Sequence, residues 1–200
     1  MPRMFARTRS ATTLSGFIAL VLTLALGTCG PAWARPPLPL STDDAFQRDC
    51  LKAHNGYRAR HGAPPLKTDQ ATVDYAKQRV TLFSEYEGLS HGHAGLRPGY
   101  GENTFWAGSS SPDKVTSCSD AVKTWYSQGV KYDYNHPGFS QDTGFFTQVV
   151  WKSTTTLGCA RAAGRGSAWY ETYIVCMYQP AGNIVTSDGS YFSKNVGRPA

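Results

Sequence analysis

Two cysteines near the C-terminal end, Cys159 and Cys176, constrain this chain more than any other feature. Each lies in a strand-like run, Leu157–Ala162 and Tyr170–Tyr178, and Gly164-Arg165-Gly166-Ser167 stands between the runs. Strand-like runs around such a connection read as an antiparallel hairpin. The cysteines are equidistant from a point just after Ser167, so the hairpin sets them nearly opposite each other. Non-hydrogen-bonded antiparallel pairs bring Cα atoms to about 4.5 Å, at the short end of disulfide geometry. Closing a loop of this length stabilises by roughly 3 kcal/mol in the chain-entropy account. Elimination then pairs Cys50 with Cys118, because the fifth cysteine, Cys29, lies in a separate N-terminal segment.

That segment has the layout of a secretory signal. Arg3, Arg7 and Arg9 precede an apolar run from Leu14 to Leu26, and Ala32-Trp33-Ala34 offers small residues at the −3 and −1 positions of a cleavage site. The run would span only about 20 Å as a helix, short of a ~30 Å hydrocarbon core, which disfavours a signal anchor. Leu26-Gly27-Thr28 is a poor sequence for lipid attachment at Cys29. The expected organisation is therefore a cleaved signal over 1–34, an extended Pro-rich leader over 35–43 and one domain over 44–200. Four remaining cysteines in an exported chain fit two disulfides, and none has the C-x-x-C spacing of a structural zinc site.

Loss of Arg3, Arg7 and Arg9 with the leader takes the formal charge from +6 to +3. The basic residues form no run, so no nucleic-acid face is legible. Charged residues make up 17% and aromatics 12%, enough apolar material for a packed core and too few charges for a disordered tail. No second apolar run is long enough to span a membrane.

Helical patterns come first. Ser41-x-x-Asp44 resembles a capping box, and Phe46, Cys50, Leu51, His54 and Tyr57 then share one face until Gly62 and Pro64-Pro65 stop the helix. A second helix is expected after Asp69, with Val73, Ala76, Val80 and Phe83 inward and Gly88 at its end. A third is expected from Ser117 to Gln128 around Val122, Trp125 and Tyr126. Residues 88–116 read as a long loop, as do 132–143, and Phe145–Trp151 reads as a strand before the hairpin. Helices followed by a small antiparallel sheet give an α+β fold, with helices on both faces because the strands are too apolar to leave one face wet.

Several strings resemble the CAP superfamily of cysteine-rich secretory, antigen 5 and plant pathogenesis-related proteins. They are Ala53-His54-Asn55-x-x-Arg58, Pro64-Pro65-Leu66, Tyr100-Gly101-Glu102-Asn103, Trp125-Tyr126, Tyr134-Asn135, Pro137-Gly138-Phe139, Thr147-Gln148-Val149-Val150-Trp151-Lys152, Leu157-Gly158-Cys159 and Pro180-Ala181-Gly182-Asn183. They occur in family order over about residues 44–184 and are most similar to single-domain secreted fungal and Golgi-associated animal members. The resemblance implies an α-β-α sandwich and a cleft with two His and two Glu that binds a divalent metal in many members. Carried over residue by residue, the first His falls on His91, with His93 as its rival, and the first Glu on Glu102. The second Glu and second His fall on Gln128 and Phe145.

Phenylalanine cannot ligate, and a neutral amide replaces carboxylate poorly at zinc. The expectation is thus a hydrogen-bonded cleft with no metal and no cofactor; His91, His93 and Glu102 are the set through which an ion could still be held if the two rings converged. His54, Asn55 and Arg58 read as structural. The resemblance favours a secreted, extracellular sterol- or fatty-acid-binding module without catalytic residues. Loop aromatics Phe105, Trp106, Tyr132, Tyr134 and Phe139 are candidates to line an apolar pocket. A protein-interaction or defence effector is the alternative, and a metal-assisted hydrolase is a third reading weakened by Gln128 and Phe145.

Overall fold

The computed structural model describes residues 35–200; the signal-peptide expectation falls outside them. Five helices and four strands follow in the order α1 (Asp44–Arg60), β1 (Lys67–Thr68), α2 (Gln70–Ser84), β2 (Gly101–Ser109), α3 (Cys118–Ser127), α4 (Gly144–Val149), β3 (Thr156–Arg165), β4 (Tyr170–Gln179) and α5 (Ser190–Asn195). The sheet order is β1-β3-β4-β2. Short β1 runs parallel to β3, while β3–β4 and β2–β4 are antiparallel.

Alternation along β4 explains the three layers. Tyr173, Val175 and Met177 pack with Tyr75, Ala76, Val80 and Phe83 of α2. Ile174, Cys176 and Tyr178 point the other way, into a core shared with Phe46 and Cys50 of α1, Val122 and Trp125 of α3, and Phe146 and Val149 of α4. A strand covered on both faces reads as an unbroken apolar run. The result is an α-β-α sandwich. Its layers approach closely at Gly158, where a Cβ would press into the Thr72–Val73 peptide of α2.

Disulfides join Cys159 to Cys176 across the hairpin, with Cα atoms 4.1 Å apart, and Cys50 to Cys118, tying α1 to α3. The four sulfurs lie within 4.8 Å of one another in the buried core, a grouping that could receive a soft metal only as free thiolates.

Three sequence expectations change. Phe145–Trp151 is not a strand: residues 144–149 form α4, because Phe146 and Val149 enter the core while buried Thr147 and Gln148 find polar partners on Asn183, Thr154 and Gly182. A short run buried on all sides carries no readable period. The expected loop 88–116 contains β2, paired with β4 from Gly101 to Ser109. The first helix is capped by Asp43, whose carboxylate accepts from Phe46 N at 2.7 Å, while the Ser41 hydroxyl accepts from Arg161. The segment before α1 buries Leu38 and bridges Leu40 to Ala162 of β3.

Candidate functional site

A buried polar cluster forms where Arg79 of α2, a helix that packs on β3 and β4, reaches Glu102 on the edge strand β2. Pairing with β4 holds Glu102 at the start of β2, and its side chain has no exposed surface. Arg79, inward on α2 and almost as deeply buried, grips it with both ends of the guanidinium: Nε donates to Oε2 at 2.5 Å and Nη2 to Oε1 at 3.0 Å. The remaining nitrogen, Nη1, donates to Ala94 O at 2.7 Å, and the guanidinium carbon lies 5.2 Å from the Phe83 ring centroid. His93, half-exposed, bonds Glu102 Oε1 through Nδ1 at 2.8 Å. Burial alone would raise the Glu102 carboxyl, but the His93 and Arg79 hydrogen bonds and then their charges hold it below the ordinary glutamate range.

His93 and Glu102 share a cleft of about 340 Å³ with Phe139, Gln141, Gly144, Phe145 and Asn183. Phe145 fills its floor beside Trp125, the ring centroids 6.2 Å apart. Gln128 follows α3, where its Oε1 accepts from Phe145 N at 3.1 Å and Phe146 N at 3.4 Å. The amide thereby ties α3 to the start of α4.

His91 does not join them. Its ring packs on Phe83 and Tyr86 and bonds Ala94 O through Nε2 at 3.2 Å. Left-handed Gly92 turns the chain between the two histidines, so the i, i+2 spacing does not bring His91 onto Glu102 as His93 does. The loop aromatics also scatter: Phe105 and Trp106 are on β2, Tyr132 is buried against Tyr134 and Phe146, and Phe139 alone of the five lines the cleft.

A divalent ion does not fit this donor set. Both Glu102 oxygens are taken by internal donors, Phe145 has no lone pair, and the Gln128 oxygen is spent on two backbone N–H groups. Among the described residues, His91, His93 and Glu102 form no group close enough to share an ion.

The polar residues of the first helix have structural partners. His54 is fully buried, with Nδ1 on Cys50 O and Nε2 on Tyr178 Oη, both at 2.8 Å; burial pushes its pKa down to about 4. A carbonyl only accepts, so Nδ1 carries the proton and Tyr178 donates to Nε2. Asn55 pairs both ways with the Leu66 backbone. Arg58 is buried without a carboxylate, donating to the carbonyls of Pro64, Val149, Trp151 and Thr154, and desolvation lowers its pKa to about 10.

A second concavity, of about 450 Å³, opens between α1 and α3. Ala53, Gly56 and Tyr57 line it together with Lys52, Arg60, Ser119 and Lys123, and the Arg60 guanidinium lies over the Tyr57 ring. Two acids, Asp49 and Asp120, also border it, but they are engaged at the start of α3: Asp49 accepts from Ser119 N at 2.9 Å and Asp120 from the Ser117 hydroxyl at 2.6 Å. The three cations form no ion pair among the described residues. Sequence reading missed this groove because its parts are spread over two helices joined by a disulfide.

The fold and site together define a disulfide-tied α-β-α domain with an Arg-gripped glutamate in one cleft. The profile of the cysteine-rich secretory protein (CAP) family matches residues 51–178, and this chain belongs to that family. Golgi-associated plant pathogenesis-related protein 1 of Homo sapiens is 34% identical over 156 residues, covering 78% of this chain and 95% of that protein. Secreted protein RBT4 of Candida albicans is 38% identical over 165 residues, 78% of this chain but only 42% of that protein. Among solved structures, BmVAL-1 shares the fold at TM-score 0.58 and 19% identity, covering 80% of this chain and 86% of that one. NaASP2 with Zn2+ does so at TM-score 0.57 and 20% identity, covering 79% and 87%.

Proposed function

We propose that this chain is a secreted, non-enzymatic binder of amphiphilic lipids whose groove between α1 and α3 takes a fatty acid. The groove carries the reading. Its volume lies within the range of small-molecule sites, Ala53 and Tyr57 give it apolar surface, and its three cations, of which Arg60 lies over the Tyr57 ring, outnumber Asp49 and Asp120 and suit one carboxylate. A sterol, which lacks that anion, would gain nothing from Lys52, Arg60 and Lys123 and is the second ligand to try.

The cleft supports the non-enzymatic part. His93 and Glu102 form a hydrogen-bonded pair, but no Ser, Thr or Cys lines the cleft among the described residues to serve as a nucleophile. Secretion is supported by the name of the Candida relative and by the two disulfides. No helix among the described residues is long and apolar enough to cross a membrane.

Gly56 supplies the test. A Cβ added there meets nothing within 4 Å, so Gly56→Phe projects a ring into the groove without displacing the helix. The variant should fold as the parent does and lose fatty-acid binding, and Lys52→Glu with Lys123→Glu should weaken binding at least tenfold. Full affinity in both would place the lipid elsewhere or remove this reading.

A further inference from the structure

The losses at Gln128 and Phe145 do not by themselves explain a metal-free cleft. Those two positions lack ligands, but a buried glutamate would remain available to a cation if nothing else neutralised it. Arg79 does so. Its side chain is 4% exposed, it spans both carboxylate oxygens, and it is fixed by Ala94 O on one side and by the Phe83 face on another. The guanidinium so held sets a full positive charge directly against the carboxylate.

We propose that Arg79 is an internal counter-cation standing in the electrostatic place of a divalent ion, so that the cleft excludes metals through occupied charge and not only through missing ligands. An ion approaching Glu102 would meet a fixed like charge within a few ångströms and would have to displace a two-point hydrogen bond. The family-equivalent ligands could be restored and the site would still refuse the ion.

The pair is also self-consistent as a metal-free unit. Oε2 has its bond from Nε, and Oε1 is shared between Nη2 and His93 Nδ1, so neither oxygen is left without a donor in a place water does not reach. His93 keeps Nε2 free of protein bonds at the half-exposed edge of the cleft. What the cleft offers a ligand is therefore the His93 ring nitrogen, the Gln141 amide and the Phe139 and Phe145 rings, not a Lewis acid.

Zinc titration by calorimetry on the full oxidised protein tests this. The wild type and the double variant Gln128→Glu/Phe145→His should show no saturable zinc binding at micromolar concentration. Adding Arg79→Met to that pair should raise zinc affinity by about 100-fold or more, and adding Arg79→Lys, which keeps the charge, should not. If the Met form does not fold, Arg79→Gln, neutral and able to hydrogen-bond Glu102, replaces it with the same expectation. Tight zinc binding by the double variant with Arg79 intact overturns the proposal. So does a folded triple variant, with both ligand substitutions and Arg79 neutralised, that still binds no zinc.

Discussion

Arg79→Met is expected to cost stability in a way that depends on pH. The carboxylate it strands has no exposed surface, and breaking a buried ion pair by removing one partner typically costs ~3–5 kcal/mol. His93 still donates to Oε1, which favours the lower end, while Ala94 O loses its donor. A penalty of about 3 kcal/mol near neutral pH corresponds to a fall in Tm of roughly 6–12 °C for a domain of this size. In the wild type the folded carboxyl lies below its unfolded value, so its contribution is complete above the ordinary glutamate pKa and fades as pH falls through the folded one. In the variant burial pushes the carboxyl up, so the folded state is increasingly penalised as pH rises above about 4.3. The gap between the two proteins should be widest near pH 7, narrow as pH falls to the ordinary glutamate value, and close only below the depressed Glu102 pKa of the wild type. Urea unfolding at intervals across that range measures it. A penalty below about 1 kcal/mol, or one that does not change with pH, would refute the assignment of Arg79 as the counter-charge of Glu102.

Two further outcomes follow from the buried groups. The His54 ring is neutral in the fold, with a pKa of about 4 against 6.5 unfolded, so the unfolded chain binds the extra proton between those values. Stability should fall by about 3 kcal/mol as pH drops from 6.5 to 4, and His54→Gln should flatten that slope in the same urea series. Replacing Cys50 and Cys118 together by Ala opens a 68-residue separation and should cost about 4 kcal/mol while leaving the Cys159–Cys176 bridge formed, as mass spectrometry after alkylation would report.

Much of the fold was legible because its signals are local. Asp69 and the Val73, Ala76, Val80, Phe83 spacing announce α2, and the hairpin around residues 164–167 aligns Cys159 with Cys176. What was not legible depends on partners distant in sequence. The segment before β2 is rich in Gly and Pro, and Gly101–Ser109 becomes a strand only because β4 offers it an edge. Phe145–Val149 has strand-like residues, yet Gln148 and Thr147 find their hydrogen bonds only on a helix near Gly182 and Asn183. At the cleft, Glu102 stood out by its motif, whereas Arg79 looked like any polar position on a helix. Its role is set by how its side chain reaches from α2, which lies on β3 and β4, to the edge strand β2, and no spacing within α2 encodes that. The choice between His91 and His93 is likewise made by one turn at Gly92, and a two-residue spacing in a loop does not reveal it.

The central claim, a fatty-acid binder with a metal-free cleft, is most directly tested by equilibrium binding of a labelled fatty acid to the oxidised protein, with and without chelator. A labelled sterol is run beside it. The predicted result is saturable, one-to-one fatty-acid binding that chelator leaves unchanged and that excess unlabelled fatty acid competes away. Binding abolished by chelator would contradict the metal-free cleft, and no saturable binding of the fatty acid would contradict the lipid-binding reading itself.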